Sequence, residues 1–186
     1  YQTRQWGEGY FGVNPNGHLN VAPRRDERIL DLKNITDQLL QQGARLPLLL
    51  RFDDILKDRV DALTGSFAQA MQEQHYEANY TAVYPIKVNQ QRSVIETIVQ
   101  HGQTRVGLEA GSRPELLAVL GIAPIGSTII CNGYKDRATI RLCLMGEKMG
   151  HHVWIVVEKP SEIPLILSES ENLGVQPRIG IRARLA

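Results

Sequence analysis

Apolar positions along the chain fall into two alternating rhythms. From Asp26 to Gln42, Ile29, Leu32, Ile35, Leu39 and Leu40 recur at helical spacing, with Gly43 as a C-terminal stop. Beyond it, short Ile-, Val- and Leu-rich runs alternate with amphipathic stretches. The pattern predicts strands over Leu46–Arg51, Tyr80–Val88, Thr104–Glu109, Ser127–Cys131, His152–Glu158 and Pro177–Arg182. Helices are predicted over 53–74, 90–101, 112–121, 136–149 and 161–173, the first with Val60, Leu63, Phe67 and Met71 on one stripe. Such strands between amphipathic helices define a parallel α/β sheet. An open doubly wound sheet and a (β/α)8 barrel both satisfy the pattern. Six strands fall short of the eight that close a barrel, so a barrel would make this chain the N-terminal portion of a longer one.

Residues 1–23 differ. "WGEGYFGVNPNGHLNVAP" places two short strand-like pieces around the turn signal "NPNG" and reads as a β-hairpin. It also holds G-x-G-x-x-G at Gly7, Gly9 and Gly12. A dinucleotide fingerprint needs a strand before it and a helix after it. Here a turn follows, so the glycines are expected to serve a twisted hairpin.

Composition narrows the field only a little. The 186 residues are 42% hydrophobic and 22% charged, ordinary for one sizeable globular domain. A net charge of +1 gives no reason to propose nucleic acid or an anionic membrane as partner. The longest apolar run, "LPLLL", is too short to span a bilayer, and no signal segment opens the chain. Cys131 and Cys143, twelve positions apart, make neither a metal cluster nor a disulfide framework and read as two reduced thiols of a cytosolic protein.

In parallel α/β folds the chemistry collects at the C-terminal ends of the strands. Those ends carry Arg51 and Asp53; Lys87 and Asn89; Glu109; Asn132, Tyr134 and Lys135; Glu158 and Lys159; and Arg182 and Arg184. Lys87 stands out, because it sits inside the apolar run "YTAVYPIKVNQQ". Period two puts it on one face with Val83, Pro85 and Asn89. Inside a barrel mouth that amine would be partly desolvated and suited to nucleophilic attack on a carbonyl. At a sheet edge it would snorkel to solvent.

"YPIKVNQ", "GLEAGSRPEL", "CNGYKDR" and "GEKMGH", in one collinear order, resemble the biosynthetic arginine decarboxylases, fold type III pyridoxal-phosphate enzymes of the alanine-racemase-like group. "WGEGYFGVNPNGHLNV" resembles the hairpin near that family's N-terminus, and "PRIGIRARLA" its sixth barrel strand. The resemblance covers almost the whole chain. It implies that residues 1–23 join a β-sandwich domain and that 24–186 form the first six βα strands of a (β/α)8 barrel. It implies pyridoxal 5'-phosphate as cofactor, held by Lys87 as an internal aldimine, and conversion of L-arginine to agmatine and CO2 in polyamine biosynthesis. Related decarboxylases of ornithine, lysine or diaminopimelate, and non-catalytic pyridoxal-phosphate barrels, remain alternatives.

By the same resemblance Lys87 and Glu109 are catalytic, and Asn89, Glu109, Ser112, Glu115 and Arg182 lie about the cofactor. "SRPE", Ser112 to Glu115, equally fits a helix capping box with proline in the first turn. Arg182 equally fits an ion pair with a neighbouring strand's glutamate. "NGYKD" also fits a turn that ends on Asp136 as a helix N-cap. The family is associated with magnesium, for which the sequence offers no ligand cluster. A shared active site implies at least a homodimer, with a cysteine supplied by the second subunit; neither Cys131 nor Cys143 takes that role. The phosphate loop, the ring-stacking histidine and the acidic partner of the ring nitrogen are expected outside these residues, so the isolated segment is expected to be inactive.

Overall fold

A computed structural model describes residues 2–183. They divide into two compact units between Arg59 and Val60. The division falls within a long helix.

The first unit opens with a short helix, α1 (Thr3–Trp6), then β1 (Phe11–Val13), β2 (Leu19–Val21), β3 (Leu30–Asp31), α2 (Leu32–Gln41) and the start of α3 (Asp53–Glu73). The hairpin is as expected: β1 and β2 pair antiparallel, Phe11 opposite Val21 and Val13 opposite Leu19. Asn14 closes its turn, its Oδ1 accepting the N–H groups of Asn16 and His18. Gly7 follows from close packing, since a Cβ there would lie 2.5 Å from the Thr3 carbonyl oxygen. No helix follows the glycines, so the phosphate-binding arrangement is absent from these residues.

The helix expected from Asp26 begins only at Leu32, because Leu30 and Asp31 pair with β2 instead. The Asp31 carboxylate accepts the N–H groups of Lys33 and Asn34 as N-cap, and also bonds Asn14 Nδ2 and His18 Nδ1. The strand expected over Leu46–Arg51 does not form. Pro47 offers no N–H to a ladder, and Leu46 and Leu49 are exposed.

In the second unit, β4 (Ala82–Pro85), β5 (Val106–Ala110), β6 (Thr128–Cys131), β7 (His152–Val157) and β8 (Arg178–Ile181) form one parallel sheet in sequence order. The sequence expectation was six such strands; five are present among the described residues. Between them run α4 (Arg92–Gly102), α5 (Arg113–Ile122), α6 (Arg137–Lys148) and α7 (Glu162–Leu173). Arg184, expected on the last strand, lies outside the described residues.

One face of this sheet makes the core. Leu108, Ala110, Ile129, Cys131, Val153 and Ile155 are buried together with Leu116, Ile140, Leu144 and Ile166 of the helices. Each fully buried aliphatic side chain contributes about 1.5–3 kcal/mol relative to exposure. The opposite face bears Val83 and Trp154, both exposed, and Glu109. Alternate residues of a strand thus point into the helix layer and toward the open face.

Candidate functional site

The C-terminal ends of the five parallel strands border a cleft of about 650 Å³. Lys87 follows β4, Glu109 lies near the end of β5, Asn132 follows β6, Glu158 follows β7 and Arg182 follows β8; all five line it. Val83, Pro85 and Ile130 supply an apolar floor.

Lys87 is not within a strand, as its apolar neighbours suggest, but on a 310 turn over Ile86–Val88. Pro85 explains this, because it ends the ladder on an edge strand where no N–H is needed. The turn still directs the Lys87 side chain to the face of Val83 and Pro85. The expected desolvation is not found: the side chain is 62% exposed.

Its neighbour is the opposite case. Glu109 is only 7% exposed, opposite Pro85 in the β4–β5 register. Its Oε1 lies 3.8 Å from Lys87 Nζ and accepts a hydrogen bond from Asn132 Nδ2 at 3.2 Å. At 3.8 Å the lysine contact is an ion pair rather than a hydrogen bond. A carboxylate buried with one amide donor and one distant ammonium is poor stability design. Its placement makes sense if the cleft needs a negative charge beside an amine.

Across the cleft, Glu158 Oε1 accepts the Gly133 N–H at 2.7 Å and Arg182 Nη1–H at 3.2 Å. Burial pushes the Glu158 carboxyl up, but the Gly133 N–H and the Arg182 guanidinium outweigh it and hold it below the usual carboxylate range. Arg182 therefore makes the ion pair anticipated with a neighbouring strand and lines the cleft as well. Tyr134 is on the rim, with Lys159 Nζ 3.7 Å from its ring centroid.

The other expected site residues stand back from the amine. Asn89 Oδ1 accepts the Gln91 N–H as the chain enters α4, and Asn89 does not line the cleft. Ser112 is the N-cap of α5, its Oγ accepting the Glu115 N–H, while Glu115 Oε2 accepts the Gly111 N–H at 2.7 Å. This is a capping arrangement; it touches the cleft only through Gly111. Asp136 caps α6 through the Thr139 N–H, as "NGYKD" allowed. Asn132 and Glu158 were visible only as polar residues at strand ends, the one signal that could have selected them. Both cysteines are free and buried. Among the described residues no group of three or more His, Cys, Asp or Glu is placed to hold a metal ion, and no helix is long and apolar enough to cross a membrane.

A family model described as pyridoxal-dependent decarboxylase, pyridoxal binding domain, matches residues 60–186. The chain belongs to this family of pyridoxal-dependent decarboxylases. Among curated relatives, the biosynthetic arginine decarboxylase of Pseudomonas aeruginosa is 52% identical over the whole of this chain, and that of Aeromonas hydrophila 55% identical. The chain spans 29% and 30% of the length of these two relatives. The crystal structure of the biosynthetic arginine decarboxylase SpeA from Campylobacter jejuni matches 98% of this chain and 31% of its own, with a TM-score of 0.88 at 31% identity.

Proposed function

We propose that this chain is the lysine-bearing portion of a pyridoxal-phosphate-dependent decarboxylase that converts L-arginine to agmatine and CO2. The observation that carries the proposal is the Lys87 amine, open to a cleft beside the buried Glu109 carboxylate. The choice of arginine rests on the relatives' names, since the cleft residues bear on cofactor chemistry rather than on the substrate side chain.

The residues fit the cofactor. A solvent-reachable primary amine can condense with an aldehyde, and the cleft of about 650 Å³ leaves room for a small aromatic ring and an amino acid. When bound, pyridoxal phosphate supplies an electron sink for the electron pair left by loss of CO2. The chain's own groups do the rest. Lys87 holds the cofactor. Glu109, 3.8 Å from Nζ, compensates a positive charge there. Asn132 fixes the orientation of Glu109. Arg182, steadied by Glu158, brings a cation to the side of the cleft where anionic groups of the ligands can pair. Val83, Pro85 and Ile130 offer apolar surface on the floor for a ring to cover.

We further propose that the five-stranded sheet is part of a (β/α)8 barrel, supported by its open face with Val83 and Trp154 uncovered. The hairpin sheet would then belong to a β-domain, and the whole protein would act as at least a homodimer in the cytoplasm.

Borohydride reduction of the full-length gene product with pyridoxal phosphate, followed by peptide mapping, tests the central assignment. Label is expected on Lys87. Label on another lysine, or none, would overturn it. CO2 release measured over arginine, ornithine, lysine and diaminopimelate decides the substrate, with arginine expected to dominate.

A further inference from the structure

Behind the cleft lies a buried ion pair that the chemistry above does not use. The Lys135 side chain is 0% exposed and that of Glu162 3% exposed. Lys135 Nζ sits 3.5 Å from Glu162 Oε2 and donates to the Gly133 carbonyl. Glu162 Oε1 accepts the Lys135 backbone N–H at 3.0 Å, and Oε2 accepts the Glu158 N–H at 3.1 Å.

One carboxylate, in the first turn of α7, thus clasps two of the five chain segments that deliver groups to the cleft: the loop after β6 and the end of β7. The lysine closes the loop on itself through Gly133. Gly133 in turn donates its N–H to the Glu158 carboxylate that steadies Arg182. Its φ of +79° suits glycine, and a Cβ there would lie 2.3 Å from the Gly111 carbonyl oxygen, so the loop presses directly on the segment after Glu109. Asn132, one residue earlier, holds Glu109.

A buried pair of this kind is a poor way to gain stability, because apolar replacements are often as good or better. What distinguishes this one is its reach to the backbone at the ends of two neighbouring strands, β6 and β7. We propose that Lys135 and Glu162 are a positioning pair that sets Asn132 and Glu158, and through them Glu109 and Arg182, for the reaction. The proposal rests on the cofactor assignment above; neither residue touches the substrate.

The test uses the full-length gene product with pyridoxal phosphate and L-arginine. The charge-neutral double variant Lys135→Met/Glu162→Gln removes the pair without stranding a buried charge. It is expected to melt near the wild type yet to lose about tenfold or more in kcat, the scale expected when catalytic geometry loosens at a distance. KM should move less than kcat. The pH midpoint of the Lys87-linked cofactor absorption band should shift, which a purely structural role would not cause. Lys135→Arg, which keeps the charge, should recover part of the loss. A double variant with wild-type kcat and an unmoved band would overturn the proposal. If that variant does not fold, Glu162→Gln is judged by the same two outcomes. Absence of any Lys87-linked band in the wild type would instead overturn the cofactor assignment and the positioning role with it; its presence leaves the decision to the variants alone.

Discussion

At the C-terminal ends of the parallel strands, the cleft of about 650 Å³ gathers Lys87, Glu109, Glu158 and Arg182. At the N-terminal ends, a cavity of about 510 Å³ is lined by Val99, Val106, Pro124 and Ile125, with Gln100, Gln103 and His152 as its larger polar groups. Size does not separate the two. Charge does, and the reason is directional. Four helices begin at the C-terminal end of the sheet, so their positive N-termini and the loops before them favour carboxylates there. At the other end the helices finish and the chain turns back into strands. There the buried His151 has an Nδ1 without a hydrogen-bond partner among the described residues. A hollow lined by neutral amides, hydroxyls and aliphatic groups, without a carboxylate, lysine or arginine in its lining, is what remains when only packing shapes a surface.

The largest effect expected from this contrast is at the amine. Lys87→Ala should reduce decarboxylation to background and remove the cofactor absorption band. His152→Ala at the opposite end should leave kcat within about twofold, surface changes away from a site being near neutral. Comparable losses from both would break the contrast. Next comes Glu109→Gln, which keeps shape and the Asn132 contact but removes the charge beside Lys87. A loss of roughly 10²- to 10⁴-fold in kcat is expected, the range for a group that manages a proton at the reacting centre. A variant with undiminished kcat would reduce Glu109 to a packing role.

The two ends should also separate by pH. Burial, aided by His152 and opposed by Glu147, holds the His151 imidazole below its ordinary value. A depressed histidine binds fewer protons folded than unfolded, so stability is full above about pH 6.5 and falls as the pH drops below it. Glu158 is a carboxyl held below its ordinary value. Its contribution is present above about pH 4.3 and is lost as the pH falls through the lower folded value. Urea unfolding from pH 7.5 to 3.5 should therefore show two windows. His151→Gln should flatten the upper one and Glu158→Gln should reduce the lower one, to which Asp136 and Glu169, also held below their ordinary values by their partners, contribute as well. A single variant flattening both would show that the ends are coupled.

Sequence patterning located β5 to β8 and their helices well, because Ile- and Val-rich runs bounded by capping residues are local signals. It failed at Leu46–Arg51, where apolar composition was present but no partner strand completes a ladder. It misplaced the turn at Lys87, because Pro85 ends a strand that its neighbours would continue. Glu109 was legible because no local role competes for it. The pairing of Lys135, marked only as a strand-end residue, with Glu162 was not, since it joins two βα units 27 residues apart and leaves no periodic trace. Position at strand ends marked Asn132 and Glu158, but position alone could not say which rim groups touch.

Ser112 offers the smallest and sharpest test, because its sequence context fits two roles equally. Among the described residues its hydroxyl has one hydrogen-bond partner, the Glu115 N–H, in a capping contact at 3.4 Å. A cap alone predicts that Ser112→Ala lowers stability by about 1 kcal/mol. It also predicts that Ser112→Asp, which caps as well and adds favourable charge at the start of α5, restores stability. Cofactor affinity and kcat should then be unchanged in both variants. If Ser112 instead faces the cofactor, Ser112→Asp would place a carboxylate against an anionic ligand, weakening cofactor binding while helix stability is preserved. Fluorescence titration of the apoprotein with pyridoxal phosphate, alongside melting of the same variants, separates the two roles because the cap and the contact move different observables.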